Sequence, residues 1–568
     1  MRKPLRWILS FLARLGLAIL CWEAVSLPSF GSAPGLNLNA SLAVSPVSDP
    51  NALSPSQAEP DAPGPIGYIG ETVTYHYDIG RKGFTQYEKV LNPANVDSSS
   101  FGLLGFFGVD GKVDAQPLYL YRVPIGPNFR NILYVVTEND SVYAIDPDHD
   151  QLVWKSSAAP PGETPSDDLG CGNLTPSIGI TATPVIDRQS GAIYFVAMTV
   201  DSSGNYHQRL HALNIATGAE LFGGPTEIAA KYPGSGDGSQ NGQVIFDPKQ
   251  YLERASLLEV GGKIYIAFSS HCDYRPYTSW VMAYDPGTLE QTSVLNLTPN
   301  GNEGGIWMSG GGLAADPQGN IYLLMGNGTF DTTLDGNGMP IYGDYGNAFV
   351  KISPSPQLAV ADYFTMYNVV EEDINDVDLG SGAALVLPSL YDNKGQIHQL
   401  AVGAGKDGNI YVVDRNNLGK FNSNDDSAIY QEIDGALGYG IFGGPAYFNN
   451  TVYFGDQLGT LKAFTITNAM LSTFPTSQTS TIFAYPGTTP TVSSNLASSA
   501  VVWAIENTTP AVLHAYDATN LANELYNSNQ AGSRDQFGPG NKFITPLVVN
   551  GKVFVGTQNG VAEFGLLQ

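Results

Sequence analysis

The chain repeats one pattern of apolar and polar positions along most of its length. A β-rich run is followed by a polar turn of two or three residues, then by a second run that closes on a small residue and often Asp. The clearest copies are residues 132–146 and 402–414. Eight copies recur at intervals of about 50 to 70 residues, which is typical of the blades of a β-propeller.

The two ends of the repeating region predict how the array is completed. The last copy contains three strand patterns, at residues 544–549, 552–556 and 560–565, while residues 101–109 form a spare strand ahead of the first copy. Pairing the spare strand with the last sheet would cover two open edges. Helical periodicity is almost absent. The sequence therefore predicts an all-β fold, an eight-bladed β-propeller of four-stranded antiparallel blades, closed by an N-terminal strand in the last blade.

Composition divides the chain into three regions. Residues 1–33 have a basic opening, an apolar stretch and small residues at the end, which is the layout of a signal peptide, although Arg14 interrupts the apolar stretch and retention as an anchor stays open. Residues 34–66 are rich in Pro and Ser and are predicted to be a disordered linker. Residues 67–568 are predicted to form the propeller. We therefore expect export to the periplasm, cell envelope or medium, with no membrane span after signal removal.

Charge and cysteine content narrow the function classes. The formal net charge is −26, and only 14 % of residues are charged. An acidic surface repels phosphate backbones, so a nucleic-acid partner is not expected. Beyond Cys21 the only cysteines are Cys171 and Cys272, and the sequence leaves open whether they form one disulfide or two unpaired thiols.

Two short segments of the sequence resemble those of a known protein family. Residues 376–382 read Asp-Val-Asp-Leu-Gly-Ser-Gly, and residues 403–415 carry a Lys just before a Gly-x-x-Tyr-Val-x-Asp-Arg type of strand. Together with the repeats over residues 72–568, this resembles the quinoprotein alcohol dehydrogenase superfamily. Its eight-bladed propellers bind pyrroloquinoline quinone (PQQ) and Ca²⁺.

The resemblance implies catalytic roles for two residues. Asp378 matches the carboxylate base, which takes the proton of an alcohol. Lys406 matches the cation that contacts and polarises the quinone carbonyl. Val377 stands where the family has Trp. The residues alone also permit a simpler interpretation, in which Asp378 caps a turn and Lys406 is solvated beside an Asp-Gly turn.

The resemblance also implies a metal and cofactor site. Asn327, Asp273 and Asp378 match the oxygen ligands of Ca²⁺, a hard cation that takes several such ligands. Trp307 lies close to the family's Trp beneath the quinone, about three residues out of register. Turns and core packing explain these residues equally well without a ligand.

Departures from the family concern the cysteines. Active members carry two adjacent cysteines beside the cofactor, whereas the corresponding stretch here has Cys171 alone, and a bond to Cys272 is a hypothesis. No Cys-x-x-Cys-His sequence is present, so no attached haem is expected, and the histidines lack the spacing of a zinc site.

Two functions fit these features. The first is an exported module of the cell envelope that binds a small molecule or a protein at the mouth of the propeller channel, acting as a monomer. The alternative is a PQQ- and Ca²⁺-dependent dehydrogenase that oxidises an alcohol or sugar. The single Cys171 and the shifted Trp307 favour the first, and enzymatic activity stays open because propellers support many functions.

Overall fold

The computed structural model describes residues 69–568 with the exception of Asn173. The predicted signal peptide and linker lie outside these residues. The regular secondary structure of the described residues is almost entirely β, and its strands form ten sheets. Eight sheets have four or five strands, and we number them 1 to 8 along the chain.

Sheets 1 to 4 occupy the first half of the described chain. Sheet 1 contains Leu118–Ile125, Asn128–Val136, Ser141–Asp146 and Gln151–Ser157. Sheet 2 contains Glu163–Pro165, Val185–Asp187, Ala192–Asp201, Tyr206–Asn214 and Thr226–Glu227. Sheet 3 contains Tyr251–Glu253, Leu258–Val260, Lys263–Ser270, Trp280–Tyr284 and Gln291–Asn296. Sheet 4 contains Ala314–Ala315, Ile321–Leu324, Phe349–Ser353 and Ala359–Phe364.

Sheets 5 to 8 complete the set. Sheet 5 contains Leu385–Val386, Leu400–Ala404, Ile410–Asp414 and Gln431–Ile433. Sheet 6 contains Ala446–Phe448, Thr451–Gly455, Leu461–Thr467, Met470–Leu471 and Ser477–Gln478. Sheet 7 contains Phe84–Thr85, Thr491–Asn495, Ser498–Glu506, Val512–Asp517 and Glu524–Asn527. Sheet 8 contains Phe101–Gly108, Leu547–Val549, Lys552–Gly556 and Gly560–Leu566.

Smaller elements lie between these sheets. A three-stranded sheet and a hairpin consist of Lys231–Pro233, Ser239–Gln240, Gln243–Ile245, Leu390–Tyr391 and Ile397–His398. The described helices are the α-helix Val369–Asn375 and the 3₁₀ turns Met308–Gly310, Leu379–Ser381 and Gly532–Asp535. No helix in the described region is both long and apolar enough to cross a bilayer.

The strands pair largely as the sequence pattern predicts, although four of the eight sheets have five strands rather than four. Consecutive strands within a sheet are antiparallel, apart from Phe84–Thr85, which pairs in parallel with sheet 7. The N-terminal strand Phe101–Gly108 pairs with the last strand, Gly560–Leu566, so the expected contact between the two ends is present. Many central strands are buried along their whole length because other sheets cover both of their faces.

The hydrophobic core lies between successive sheets. One buried cluster joins Tyr134 of sheet 1 to Phe195 of sheet 2, and further clusters join each later sheet to the next. A final cluster contains Phe554 of sheet 8 together with Leu133 of sheet 1. Apolar burial therefore links the last sheet to the first as well as each sheet to its successor.

A segment that precedes all the repeats forms hydrogen bonds to every one of the eight large sheets or to residues beside them. We call residues 72–83 the hub segment. Its backbone carbonyls accept hydrogen bonds from the amides of one residue in each of six sheets, namely Tyr119, Ile186, Ala315, Val386, Tyr447 and Val492. The Tyr77 hydroxyl donates to Val548 O in sheet 8, at 3.2 Å. Arg81 Nη2 donates to Leu257 O beside sheet 3, at 2.8 Å.

Arg81 fixes the hub segment from within. Its guanidinium donates to Thr74 Oγ1 at 2.6 Å, to Tyr75 O at 2.9 Å and to Leu313 O at 2.8 Å. The residue is 2 % exposed, and a Cβ at Gly312 would lie 2.7 Å from its Nε. The planar fork of arginine satisfies several carbonyls at once, which a lysine does not.

One local feature differs from the sequence expectations. The helix Val369–Asn375 is not anticipated by the sequence pattern. At seven residues it is too short to show a helical repeat of apolar positions.

Candidate functional site

Asp378 and Lys406 form the centre of the candidate site. Asp378 comes just before the 3₁₀ turn Leu379–Ser381, and Lys406 follows the strand Leu400–Ala404 of sheet 5. The Lys406 amide donates to the Asp378 carbonyl at 2.9 Å. The Lys406 ammonium lies 2.5 Å from Asp378 Oδ2 and 2.7 Å from Asp376 Oδ1. Lys406 is thus held between two carboxylates.

The simpler interpretations of these two residues do not describe their contacts. Asp378 occupies the N-cap position of the 3₁₀ turn, yet its side chain makes no capping hydrogen bond. The carboxylate instead binds Lys406. The Lys406 side chain is only 18 % exposed, so its ammonium is not simply solvated. Asp376, the other carboxylate that contacts Lys406, ends the helix Val369–Asn375. Its backbone is in the left-handed conformation, with φ 58°, which aspartate tolerates at a helix end.

Burial and charge act in opposite directions on this cluster. Burial raises the pKa of Asp378, the Lys406 ammonium opposes that change, and the Asp376 carboxylate adds to it. Burial alone would lower the pKa of Lys406, but the two carboxylates outweigh it and raise that pKa. Lys406 is therefore cationic at neutral pH, and it favours the ionised form of Asp378.

Asn327 joins the cluster from the end of a strand in sheet 4. Its Nδ2 donates to Asp376 Oδ1 at 2.7 Å, which fixes the direction of the amide. Its Oδ1 is buried and has no hydrogen-bond partner among the described residues. A buried oxygen without a partner is costly unless a water or ligand satisfies it. The next residue, Gly328, donates its amide to Asp373 Oδ1 at 2.6 Å.

Asp273 acts on the same cluster from the loop after the strand Lys263–Ser270. Its negative charge contributes to the raised pKa of Asp378 and to that of Asp373, in which burial is the largest cause. The Tyr277 hydroxyl donates to Asp273 Oδ1 at 2.9 Å. The acidic residues that the sequence analysis assigned to one site are therefore electrostatically coupled.

The cysteines beside Asp273 are joined. Cys171 and Cys272 form a disulfide across 101 residues of sequence, with their Cα atoms 5.5 Å apart. The bond ties the sheet 2 loop between Glu163–Pro165 and Val185–Asp187 to the loop of sheet 3 that carries Asp273. Of the two alternatives that the sequence left open, the structure has the disulfide.

Trp307 belongs to a group of aromatic rings. Its ring meets Phe543 at a centroid distance of 5.0 Å and Phe442 at 6.3 Å, both nearly at right angles. Tyr485 contacts Phe442 and Phe543 in the same manner. Burial raises the pKa of Tyr485, while the nearby Lys406 ammonium lowers it, so the aromatic group adjoins the Lys406 cluster.

Most of the site residues predicted from sequence therefore lie together, and some neighbours were not assigned a role. Asp376 and Asp373 could have been found, because they share the acidic run that contains Asp378. Tyr485, Phe442 and Phe543 come from distant repeats, and no local sequence signal points to them. Within the described residues, no three His, Cys, Asp or Glu side chains are arranged as a metal-binding group.

Comparisons with known proteins agree with the fold. The quinohemoprotein alcohol dehydrogenase of Comamonas testosteroni matches with a TM-score of 0.54 at 14 % identity, over 88 % of this chain and 80 % of that one. A quinohemoprotein alcohol dehydrogenase of Pseudomonas putida matches with a TM-score of 0.54 at 13 % identity, over the same shares of the two chains. BamB of Moraxella catarrhalis gives a TM-score of 0.44 at 11 % identity, over 82 % of this chain and 98 % of that one. Neither a protein-family model nor a curated protein matches the sequence.

The class of protein follows from the fold. The chain has the β-propeller fold of the quinoprotein alcohol dehydrogenase type, and the resemblance seen in the sequence is confirmed at that level. At identities near 14 % the likeness concerns the fold alone. The chemistry must be argued from this chain's own residues.

Proposed function

We propose that this protein is a quinoprotein-type dehydrogenase that binds PQQ and Ca²⁺ and oxidises an alcohol or sugar. The observation that supports the proposal most is the Lys406 ammonium held between Asp376 and Asp378, beside the partnerless oxygen of Asn327. Lys406, Asp378 and Asn327 were assigned to one site from the sequence, and Asn327 follows a strand of sheet 4 while Lys406 follows a strand of sheet 5. If each residue only formed a turn, there would be no reason for their side chains to lie in contact.

The chain offers suitable groups for the cation and the cofactor. Asn327 Oδ1 is buried, lacks a hydrogen-bond partner in the described chain and has its direction fixed through Nδ2. Amide and carboxylate oxygens are ligands that Ca²⁺ prefers, so Asn327, Asp273 and Asp378 would hold it. Trp307, Lys406 and Cys171 would contact the quinone, which when bound supplies the electron acceptor.

The chain's own residues explain the handling of the proton. Asp378 is 7 % exposed, and a carboxylate in such surroundings is a stronger base than one in water. The Lys406 ammonium, 2.5 Å away, keeps Asp378 ionised and oriented until a substrate hydroxyl gives up its proton. Lys406 also places a fixed positive charge where negative charge on an oxygen would develop.

The test is a titration of the purified protein with PQQ and Ca²⁺, followed by dye reduction with a panel of alcohols and sugars. We expect binding at micromolar quinone and turnover that falls about 10²- to 10⁴-fold in Asp378→Asn, because that variant removes the base. Asp392→Asn is the matched control, since Asp392 accepts amide hydrogen bonds in a hairpin turn and pairs with His398, without a contact to the Lys406 cluster. Absence of quinone binding would overturn the proposal.

A second candidate is a non-enzymatic, ligand- or protein-binding module of the cell envelope. The observation in its favour is that Cys171 pairs with Cys272, 101 residues away, rather than with an adjacent cysteine as in the active enzymes. In that case the site would bind its ligand without turnover. The same titration separates the two candidates, because the module binds no quinone in the micromolar range.

The arrangement that we propose for the whole protein is an exported monomer whose sheets 1 to 8 are the blades of one closed ring. The cyclic series of buried clusters and the pairing of Phe101–Gly108 with Gly560–Leu566 support the ring. The signal-like composition of residues 1–33 supports export.

A further inference from the structure

A cavity of about 420 Å³ lies between loops of sheets 1, 2, 7 and 8. Ten described residues line it, namely Lys112, Gly172, Leu174, Thr175, Pro176, Asn507, Gly540, Asn541, Lys542 and Gln558. Its volume falls in the range of small-molecule sites, about 300 to 1,000 Å³. The cavity adjoins the aromatic group, because Phe543 follows Lys542 directly in the chain and contacts Trp307.

The charge of the cavity is opposite to that of the molecule. The chain carries 27 Lys and Arg against 53 Asp and Glu, yet two of the ten lining residues are lysines and none is Asp or Glu. In a protein of net charge −26, a small basic cavity attracts anions that the rest of the surface repels.

The two lysines differ in their charged neighbours within the described chain, because only Lys112 has a carboxylate within salt-bridge distance. Lys542 Nζ has no ion pair or hydrogen bond there, and it lies 5.8 Å from the centroid of the Tyr485 ring. Lys112 Nζ donates to Thr175 Oγ1 at 3.3 Å, and its nearest carboxylate oxygen, on Glu138, is 3.9 Å away. Burial raises the pKa of Glu138 to about 8, with Asp114 adding to the shift and Lys112 opposing it, so the negative charge of Glu138 is weakened at neutral pH.

The rest of the lining indicates the kind of anion. Amide side chains of Asn507 and Gln558 offer hydrogen bonds, while Leu174 and Pro176 provide apolar contact. The space exceeds what a single inorganic anion fills. Lysines act as point charges that suit carboxylates at several angles.

We propose that this cavity is a binding site for a small organic anion with two or more carboxylates, held by Lys112 and Lys542. The site shares no lining residue with the Asp378 cluster, and it does not depend on the proposed dehydrogenase activity. It can therefore fail or succeed in a test independently of quinone binding.

The experiment is calorimetry of citrate binding to the full protein without added quinone, at low salt. We expect millimolar or tighter binding that weakens as salt is added. Each of Lys112→Gln and Lys542→Gln should weaken it about fivefold or more. Lys394→Gln, at an exposed hairpin turn, should have no effect and serves as the matched control.

Charge-retaining variants and alternative ligands test whether citrate binding depends on the charge of the two lysines and on the carboxylates of the ligand. Lys112→Arg and Lys542→Arg retain the charge and should bind citrate nearly as well as the unchanged protein, and thermal melting should show every variant to be folded. No heat of binding, or equal affinity in all variants, would overturn the proposal. Inorganic phosphate or neutral glycerol binding as tightly as citrate would overturn the assignment to an organic polycarboxylate.

Discussion

At the scale of single residues, the main feature of the candidate site is that the Lys406 ammonium pairs with two carboxylates. Lys406 contacts Asp376, which is 43 % exposed, and Asp378, whose side chain is 10 % exposed. Since water screens the exposed partner, the buried Asp378 depends on Lys406 far more than Asp376 does. Lys406 therefore has a structural task in addition to any role toward a ligand.

Removing that ammonium should destabilise the protein in a pH-dependent way. In Lys406→Gln the buried Asp378 loses its partner, and we expect the free energy of unfolding to fall by about 3 to 5 kcal/mol at pH 8. Burial raises the pKa of Asp378, so the folded variant holds a proton that the unfolded chain has released. Its stability therefore falls as pH rises from about 4, the ordinary value for aspartate, toward the raised folded value.

Chemical denaturation at pH 5 and pH 8 measures this effect as the difference between the variant and the unchanged protein. The loss should be clearly smaller at pH 5, which lies nearer to the ordinary pKa of aspartate in the unfolded chain. Lys406→Arg keeps a cation and is the control, with little loss at either pH. An equal loss at both pH values would show that Asp378 does not depend on Lys406.

At the scale of elements, the hub segment has a role that its length does not suggest. It is a stretch of twelve residues, 72–83, without regular structure of its own over most of its length, yet it bonds to residues in or beside all eight large sheets. The sequence places the start of structure near residue 72 but cannot show this role, because the bonds to six of the sheets are made by backbone carbonyls. Backbone groups leave no signature in side-chain identity.

Arg81 is the residue through which the hub segment can be tested. In Arg81→Met the carbonyls of Leu257 and Leu313 lose their donors while the apolar volume is kept. Each buried group left without a partner costs about 1 to 3 kcal/mol. We expect the free energy of unfolding to drop by about 3 kcal/mol or more, measured in urea.

A matched control is Arg122→Met, because Arg122 is exposed and its side chain stacks on the exposed ring of Phe129. That change should shift stability by less than about 1 kcal/mol. Equal effects of the two substitutions would show that the hub segment adds little to the stability of the fold.

At the scale of the whole molecule, the sequence predicts those structural features that arise from periodic patterns of apolar residues. The recurring strand pairs and the pairing of the two ends follow from apolar alternation, which the eight sheets display. The Cys171–Cys272 bond and the meeting of Trp307 with Phe543 depend on how distant repeats are placed in space. A single sequence contains no local signal for such contacts, so only the family resemblance or the structure identifies them.

The contact between the two ends of the chain gives the last prediction. Phe101, in the N-terminal strand of sheet 8, is fully buried against Trp503, Tyr526 and Phe564. Removing its ring in Phe101→Ala should cost about 3 to 5 kcal/mol of unfolding free energy, because the cavity lies where sheets 7 and 8 meet. Urea denaturation followed by tryptophan fluorescence measures it, since Trp503 lies 5.5 Å from the lost ring.

Phe106→Ala is the control on the same strand, where the ring is 39 % exposed, and it should cost well under half as much. If pairing of the ends completes one cooperative ring, Phe101→Ala lowers the midpoint of a single transition. If sheet 8 instead unfolds separately, an early second transition appears while the main one stays in place. That outcome would contradict a closed ring, because a ring cannot lose one blade without exposing the edges and faces of its two neighbours.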